Sequence, residues 1–274
     1  MDDAVAEILL RLPPDDPACL VRASLVCKSW RRILSDPAFP RLYREFHRTP
    51  PLLGFLHGSV YTSSGRVSCR FVPATTRSPS LRPPLECPAL DCRHGRVLLH
   101  KVYGTRGALA VWDPITGDRK VLPEPDLVRP SHSYSGVVLC AAVGCDHRDC
   151  HGGAFLVVFV GNTNSNAVAG GPVAWAYSSE AAAWSAPVSL DLGQDPSDAT
   201  GRSAIVGDGL YFLLGRGTAI LRYDLAKHGL SVIDSPCVST KPMVLMAMED
   251  DDGSLGLAGV LGSTLHLWSR KMIR

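Results

Sequence analysis

Residues 1–46 place apolar side chains at helical spacing, whereas the remaining sequence is typical of strands and turns. A stripe with the i, i+3, i+4, i+7 spacing predicts a first helix over residues 3–12: Val5, Ile8, Leu9 and Leu12. Pro13-Pro14 ends this helix, because proline lacks the N–H that continues a helix. A helix this short requires other elements to cover its apolar side.

Two Asp-Pro pairs predict the starts of further helices. Asp16-Pro17 and Asp36-Pro37 each combine an N-capping side chain with a proline that suits the first helical turn. A module of this size buries too little surface to be comfortably stable, so the rest of the chain or a partner should cover part of it. A bend is expected near Val26-Cys27 in the first apolar stripe, which comprises Leu20, Ala23, Cys27, Trp30 and Leu34; the second comprises Phe39, Leu42, Tyr43 and Phe46.

From about residue 52 the sequence alternates short apolar runs with turn residues. The clearest unit joins a strand at Ala108–Trp112 to a strand at Arg119–Leu122. The connection is Asp113-Pro114-Ile115-Thr116-Gly117, in which the Asp side chain can accept hydrogen bonds from its own backbone and Gly can adopt a positive φ. Gly207-Asp208-Gly209 is a further strong hairpin signal.

Similar strand–turn units begin at Val173–Tyr177, Ala219–Tyr223 and Thr264–Trp268. Their aromatic residues lie about 45 residues apart, within the range of propeller blades. We therefore predict a small all-α N-terminal module followed by a mainly-β domain, an incomplete or irregular β-propeller. The predicted boundaries are 1–46 for the helical module, 47–51 for a linker and 52–274 for the β-domain. Most aromatic residues on the strands should form the core between blades: Trp175, Trp184, Tyr211, Tyr223 and Trp268.

The charge balance argues against several classes of protein. The chain has 28 Lys and Arg against 26 Asp and Glu, so it presents no large basic field for nucleic acid.

No apolar run approaches the ~20 residues of a membrane-spanning helix, and the acidic start Met1-Asp2-Asp3 is unlike a signal peptide. We expect a cytoplasmic and/or nuclear protein without nucleic-acid or membrane partners, whose nine cysteines are reduced.

Three segments carry residue types that bind metals or phosphates in other proteins, and none is predicted to do so here. The segment Cys145-Asp146-His147-Arg148-Asp149-Cys150-His151 departs from known zinc spacings, and its last two residues cannot easily reach one tetrahedral ion, so we interpret it as a solvated loop. Glu249–Gly253 and Gly215-Arg216-Gly217 are interpreted as turns. No catalytic, cofactor-binding or metal-binding residue is predicted, since the other histidines considered lack a paired carboxylate by spacing: His94, His100, His132 and His266.

Four separately spaced stretches of the helical module form a recognisable pattern: Glu7-Ile8-Leu9-Leu10-Arg11-Leu12-Pro13, Leu20-Val21-Arg22-Ala23, Val26-Cys27-Lys28-Ser29-Trp30-Arg31 and Asp36-Pro37-Ala38-Phe39. Together they resemble an F-box. The family's motif usually opens with Leu-Pro before the Asp-Asp pair, whereas this sequence begins at Met1-Asp2-Asp3. In the family that opening helps to grip the adaptor, so its absence predicts weaker adaptor binding.

The F-box resemblance implies a substrate-receptor subunit of a Skp–cullin–F-box ubiquitin ligase. The module would dock on a Skp-type adaptor, and through it on a cullin, while the β-domain holds an unknown target protein without catalysing a reaction. Leu9, Leu12 and Pro13 are expected at an exposed edge, and Trp30 and Cys27 in the core of the module. The residues implied to bind the adaptor are Ile8, Leu9, Leu12, Pro13, Leu20 and Val26, with Trp30 in support.

The element from Trp112 to Arg119, followed by Leu122-Pro123, resembles the "NPxTGexxxLP" signature of plant F-box-associated β-domains. Together the resemblances indicate a plant F-box protein with a propeller-like C-terminal region. Residues 269–274 stop before the fourth strand of a blade, so we expect a short form of a longer protein. Two alternatives stay open: a ligand-binding or enzymatic β-propeller with a helical cap, and a truncated, non-functional or competitive F-box form.

Overall fold

A computed structural model describes most of the chain and divides it into two compact units, Met1–Pro83 and Pro84–Arg274. The predicted domain boundaries stay a prediction, and residues 49–51 of the predicted linker lie outside the described residues. Among the helices described, none is long and apolar enough to cross a bilayer. The described residues are 2–48, 52–61, 66–75, 81–83, 88–103, 106–123, 125, 134–145, 147, 150, 152–162, 171–192, 199–215, 217–236, 243–248 and 253–271.

The first unit begins with the predicted short helices. The stripe predicted as one bent helix forms two, because Cys27 adopts an extended backbone (φ −158°, ψ 167°) that interrupts the helical hydrogen bonds. Cys27 is exposed, so its predicted place in the core of the module is wrong. The helices are α1 (Asp2–Leu10), α2 (Pro17–Ser24), α3 (Lys28–Leu34) and α4 (Ala38–His47).

The two Asp-Pro pairs differ in how the aspartate acts. Asp36 accepts a hydrogen bond from the Ala38 N–H at 2.8 Å, which satisfies a donor at the start of α4. Asp16 stands before α2 as predicted, but its carboxylate makes no capping hydrogen bond. It accepts from the Arg22 guanidinium at 3.3 Å instead.

The helices pack on a small apolar core of Leu9, Ala23 and Phe39. Two side chains of α4 also bind carbonyls at the end of α1. The Tyr43 hydroxyl donates to the Leu12 carbonyl at 2.6 Å, and His47 Nε2 lies 2.8 Å from the Leu10 carbonyl. Leu10 is the last residue of α1 and Leu12 lies just after it, so both contacts tie α4 to the chain around the C-terminus of α1. Partly buried side chains around the core are Val5, Leu10, Leu12, Leu20, Trp30, Ile33, Leu34 and Tyr43.

Eighteen antiparallel strands are described, two in the first unit and the rest in the second. In the first unit, β1 (Gly54–Tyr61) pairs with β2 (Arg66–Pro73). The described residues of the second unit form four successive sheets. The first is β3 (Ala89–Arg93), β4 (Arg96–Tyr103), β5 (Arg106–Trp112) and β6 (Arg119–Val121); the second β7 (Tyr134–Cys140), β8 (Phe155–Asn162), β9 (Pro172–Ser178), β10 (Ala183–Trp184) and β11 (Val188–Ser189); the third β12 (Ala199–Val206), β13 (Gly209–Leu214), β14 (Ala219–Asp224) and β15 (Gly229–Asp234); the fourth β16 (Met243–Ala247), β17 (Ser254–Leu261) and β18 (Thr264–Lys271).

The second and third sheets are each buried on both faces. On β8, Val157 and Phe159 pack with the first sheet, whereas Val158 and Val160 pack with the third. Successive side chains of a strand point to opposite faces, so a continuous apolar run fills two interfaces at once. The third sheet repeats this pattern on β13: Leu210, Phe212 and Leu214 contact the second sheet, and Tyr211 and Leu213 contact the fourth.

The aromatic residues predicted between sheets lie there. Trp175, Tyr211 and Tyr223 are buried in the clusters that join neighbouring sheets. Trp184 and Trp268 pack partly buried against the same clusters. The prediction that these aromatics form the core between successive sheets is confirmed, although a closed propeller is not observed among the described residues.

The turns after β5, β9 and β14 share one construction. The Asp113 carboxylate accepts from the Ile115 N–H at 2.8 Å, and the Asp224 carboxylate accepts from the Lys227 N–H at 2.9 Å. The residue four positions after the start of each turn has a positive φ: 80° at Gly117, 52° at Ala182 and 51° at His228. The predicted turn chemistry at Asp113 and Gly117 is therefore confirmed.

A polar network links the first strands of three sheets. The Arg93 guanidinium donates to the Ser203 carbonyl of β12 at 2.7 Å and to the Asp91 carboxylate at 3.0 Å. Asp91 in turn accepts from the Val138 N–H of β7 at 3.0 Å. Burial raises the pKa of Asp91, and the neighbouring Arg93 offsets part of that rise. The network satisfies buried polar groups where β3, β7 and β12 meet.

The fourth sheet covers the third with one face and exposes the other. Ala258 of the central strand β17 pairs with Val244 of β16 on one side and with Leu267 of β18 on the other. Val260 of β17 pairs with Leu265 of β18. Residues directly opposite in a ladder share a face. The valines and leucines of these rows are exposed, so this sheet has an apolar outer face.

We predict that Ala182→Gly stabilises the second unit by about 0.5 kcal/mol, because glycine adopts a positive φ without the steric cost that alanine bears. The matched change Gly117→Ala should destabilise by about 1 kcal/mol, since an added Cβ would meet open space and only the backbone would be strained. Urea unfolding of both variants measures the two effects. A loss of stability in Ala182→Gly would contradict this account.

His100 makes the second unit sensitive to acid. Its imidazole is buried against the Tyr134 and Phe159 rings, and this burial lowers its pKa from 6.5 to about 4. The unfolded state therefore binds more protons between these pH values, and stability falls as pH decreases from 6.5 towards 4. We expect a loss of about 3 kcal/mol over this window, measured by urea unfolding, and a flatter dependence in His100→Leu. Equal slopes in the parent chain and in His100→Leu would contradict the prediction.

Candidate functional site

The helical module exposes apolar side chains that its own core does not cover. Ile8 of α1 is 57% exposed, and Val26, between α2 and α3, is 63% exposed. Val21 and Leu25 are also exposed, and they lie four residues apart on one side of α2 and its C-terminal cap. Exposed large apolar residues grouped in a small module indicate a protein-binding surface. We call Ile8, Pro13, Val21, Leu25 and Val26 the helical docking set.

The structure separates the seven residues predicted to bind an adaptor into two groups. Ile8, Pro13 and Val26 are exposed and available to a partner. Leu9 is only 1% exposed, so its predicted place at an exposed edge is wrong: it faces Ala23 and Phe39. Leu12, Leu20 and Trp30 pack partly buried around that core, as predicted for Trp30 but not for the edge position of Leu12.

The apolar stripe does not predict Val21 and Leu25 as partner-binding residues. Both lie outside the stripe that contains Leu20 and Ala23. An apolar residue beside a complete stripe is the signal that could have identified them, because the stripe already supplies the buried side of the helix. Together with Ile8 and Val26 they extend the surface that a partner could cover.

The second unit contains a cleft of about 600 Å³ where the first two sheets meet. One wall is formed by the Asp113–Lys120 turn region, and the other by Phe155 and the connection that precedes it. Cations and carboxylates face the same space, which suits a polypeptide with charges of both signs better than a single small ion. Its lining residues are Arg96, Val111, Asp113, Thr116, Asp118, Arg119, Lys120, Gly152, Gly153 and Phe155.

Two cations of this cleft are held in place by the sheets around it. Lys120 donates to the Ser179 carbonyl at 3.2 Å and lies 5.5 Å from the centre of the Phe155 ring. The buried Arg96 donates to the carbonyls of Cys150 and Gly153 at 2.5 and 2.7 Å. Cations that are already oriented lose less side-chain entropy when they contact a carboxylate or a carbonyl, so the side chains of this cleft are pre-organised.

Four potential metal ligands gather beside this cleft. The thiols of Cys140, Cys145 and Cys150 and a ring nitrogen of His147 all lie within 4.8 Å of one another. The shortest contacts join Cys150 Sγ to Cys145 Sγ at 3.4 Å and to His147 Nδ1 at 3.5 Å. Burial raises the pKa of Cys150 to about 12, with the neighbouring thiols contributing to the rise. Asp146, Arg148, Asp149 and His151 of the predicted solvated loop lie outside the described residues, as do His132, Arg216 and the acidic residues 249–252.

The helical module matches a known domain family over α1, α2, α3 and the first half of α4. The match is to the F-box domain and covers residues 2–42. This domain supports a role in substrate recognition by a Skp–cullin–F-box ubiquitin ligase, and it implies a Skp-type adaptor as partner. F-box proteins are generally non-catalytic adaptors of such complexes.

No curated protein matches the chain significantly. Among solved structures, the glutaminyl cyclase of Myxococcus xanthus is similar with a TM-score of 0.40 and 13% identity, over 79% of this chain and 87% of that one. A chain of the mitotic checkpoint complex gives a TM-score of 0.37 and 16% identity, over 81% of this chain and 58% of that one. The endo-arabinase of Bacteroides thetaiotaomicron gives a TM-score of 0.32 and 8% identity, over 81% of this chain and 94% of that one. Scores this low do not identify a shared fold.

Adjacent residues of the F-box should respond differently to truncation. Leu9→Ala removes a side chain that is 1% exposed, and we expect it to destabilise the F-box by about 3 kcal/mol. Ile8→Ala removes an exposed side chain and should change stability by less than about 0.5 kcal/mol. Thermal unfolding followed by helical circular dichroism measures both. Equal losses would show that Ile8 belongs to the core and is not free to bind a partner.

Proposed function

We propose that this chain is the substrate receptor of a Skp–cullin–F-box ubiquitin ligase and that its second unit binds the target protein. The observation that carries the proposal is an F-box domain whose exposed apolar residues are not needed for its own core. The chain itself makes no bond. It holds a target close to a charged ubiquitin-conjugating enzyme, which raises the effective concentration of the reacting groups.

The adaptor is proposed to cover the helical docking set. Ile8, Val21 and Val26 offer apolar area that becomes buried on binding. Removing such area from water has a favourable transfer free energy of about 25 cal/mol per Å². Leu9, Leu12, Leu20 and Trp30 act indirectly, because they hold the helices that present these residues. The exposed residues are thus proposed to contact the adaptor, and the buried ones to stabilise the fold of the module.

The target is proposed to bind at the cleft between the first two sheets of the second unit. Five of its ten lining residues lie in a turn or connection, and such segments vary more readily than the sheets behind them: Asp113, Thr116, Asp118, Gly152 and Gly153. We infer likewise that the second unit is a propeller-like, plant-type F-box-associated β-domain. The stacked sheets, the mutual contacts of their first strands β3, β7, β12 and β16, and the repeated Asp-initiated turn support this inference.

A cytoplasmic or nuclear location fits this function. The seven cysteines that the structure describes carry no disulfide, which is typical of reducing compartments. A ubiquitin-ligase receptor also has to meet its adaptor in those compartments. We therefore propose that the chain acts in the cytoplasm, the nucleus or both.

A binding assay with a purified Skp-type adaptor tests the docking set. Val26→Asp places a charge on a residue that is 63% exposed, and we expect at least about tenfold weaker binding because the carboxylate loses water in the interface. Val72→Asp is the matched control: Val72 is 43% exposed and lies on β2, outside the F-box match.

Both variants should keep the helical circular dichroism of the parent chain, which separates lost contact from lost folding. The expected result is weak adaptor binding by Val26→Asp and parental binding by Val72→Asp. Equal affinities for the two variants would remove Val26 from the interface. Absence of binding by the unaltered folded chain would overturn the proposed role in the ligase.

A further inference from the structure

We propose that Cys140, Cys145, His147 and Cys150 form a structural zinc site in the second unit. The site has the pattern Cys-x4-Cys-x-His-x2-Cys and closes the connection between β7 and β8. Its ligand is a borderline-soft divalent cation, for which three thiolates and one imidazole are a common donor set. The inference is independent of the proposed function in ubiquitin ligation.

The spacing of the donor atoms fits a tetrahedral ion. Around zinc, two sulfurs at their usual bond length lie about 3.8 Å apart, and a sulfur and a nitrogen about 3.6 Å apart. Here Cys145 Sγ and Cys150 Sγ are 3.4 Å apart, and Cys150 Sγ and His147 Nδ1 are 3.5 Å apart. All four donor atoms lie within 4.8 Å of one another. Small adjustments of side-chain torsions therefore suffice to surround one ion.

Cys140 supplies the ligand that the sequence interpretation lacked. Residues 145–151 alone offer two adjacent residues, Cys150 and His151, that cannot easily share an ion. Cys140 is the last residue of β7, five positions before Cys145. The strand brings its thiol to the loop, so a complete set of four donors forms without His151.

Three described residues of the loop have a positive φ, which suits a sharp change of chain direction. His147 has a φ of 59°, and Gly144 and Gly152 on either side have a φ of 69° each. The Ala141 N–H donates to the Ala154 carbonyl at 2.9 Å, so the two ends of the loop are already joined. A non-glycine residue at positive φ is uncommon and requires surrounding contacts to hold it. A bond from His147 to a metal supplies such a contact.

The surroundings also compensate the charge of a loaded site. Zinc with three thiolates carries one net negative charge. The buried Arg96 guanidinium donates to the Cys150 carbonyl and places a positive charge beside the ligands. The His94 ring lies 4.3 Å from the His147 ring, centre to centre, which restricts rotation of the ligand ring. Neighbours that neutralise and orient ligands are typical of protein metal sites.

All four positions of a tetrahedral ion would be filled by protein, so the site holds structure and does not activate water. Its effect is on the shape of the cleft. Gly152 and Gly153, which follow the last ligand, line the wall opposite the Asp113 turn. A metal that fixes Cys150 therefore fixes this wall.

Metal analysis of the full chain tests the site. The chain is produced in bacteria with zinc in the medium, purified without chelators or metal-affinity resin, and measured by plasma mass spectrometry. We expect close to one zinc per chain. Cys145→Ser and Cys150→Ser should each lower bound zinc at least about tenfold, because each removes a direct ligand. Cys92→Ser is the matched control, since Cys92 is an exposed thiol of the same unit outside the cluster.

Cobalt gives a second readout that does not depend on the folding of a variant. Cobalt added to the metal-free parent chain should produce the intense visible bands of a tetrahedral thiolate complex, and one equivalent of zinc should abolish them. Two results would overturn the proposal: zinc content of the parent no higher than that of Cys150→Ser, or a Cys145–Cys150 disulfide in the non-reduced chain with no metal bound.

Discussion

Apolar contact between the faces of successive sheets is the interaction on which the second unit depends. The second and third sheets are buried on both faces, and alternate residues of β8 and β13 fill different interfaces. Because the same short strand contributes to two interfaces, a change in one sheet is transmitted to both neighbours. The polar contacts of Arg93 and Asp91 act within this arrangement: they satisfy groups that the stacking of the sheets has removed from water.

The sequence predicts those parts of the fold that are determined by neighbouring residues. The Asp113 turn and the hairpin at Gly207-Asp208-Gly209 depend on local backbone preferences, and both occur as predicted. The bend expected near Val26-Cys27 is a complete break between two helices, because helical spacing does not report the extended backbone of Cys27. The predicted exposed position of Leu9 is wrong for a related reason: periodicity identifies the apolar side of a helix but not which of its residues the other helices cover.

The candidate sites differ in how far sequence can reveal them. An F-box lies within 41 consecutive positions, so its pattern is visible along the chain. The cleft combines a turn of the first sheet with a connection of the second. The sequence of either segment does not predict that the two lie side by side. The thiol cluster stands between these cases, because strand β7 brings Cys140 to a loop whose other donors follow it closely. Once the pairing of β7 with β8 is known, the spacing of Cys140, Cys145, His147 and Cys150 predicts that their donor atoms lie close together.

The outer face of the fourth sheet has a thermodynamic consequence for every measurement on this chain. Val244, Val260, Leu265 and Leu267 are exposed together on that face. Any molecule that covers them binds the folded state and not the unfolded one, so it adds to the free energy of unfolding by mass action. A second copy of the chain qualifies as such a molecule, as does any protein partner. The midpoint of an unfolding curve therefore has to be reported with the chain concentration at which it was recorded.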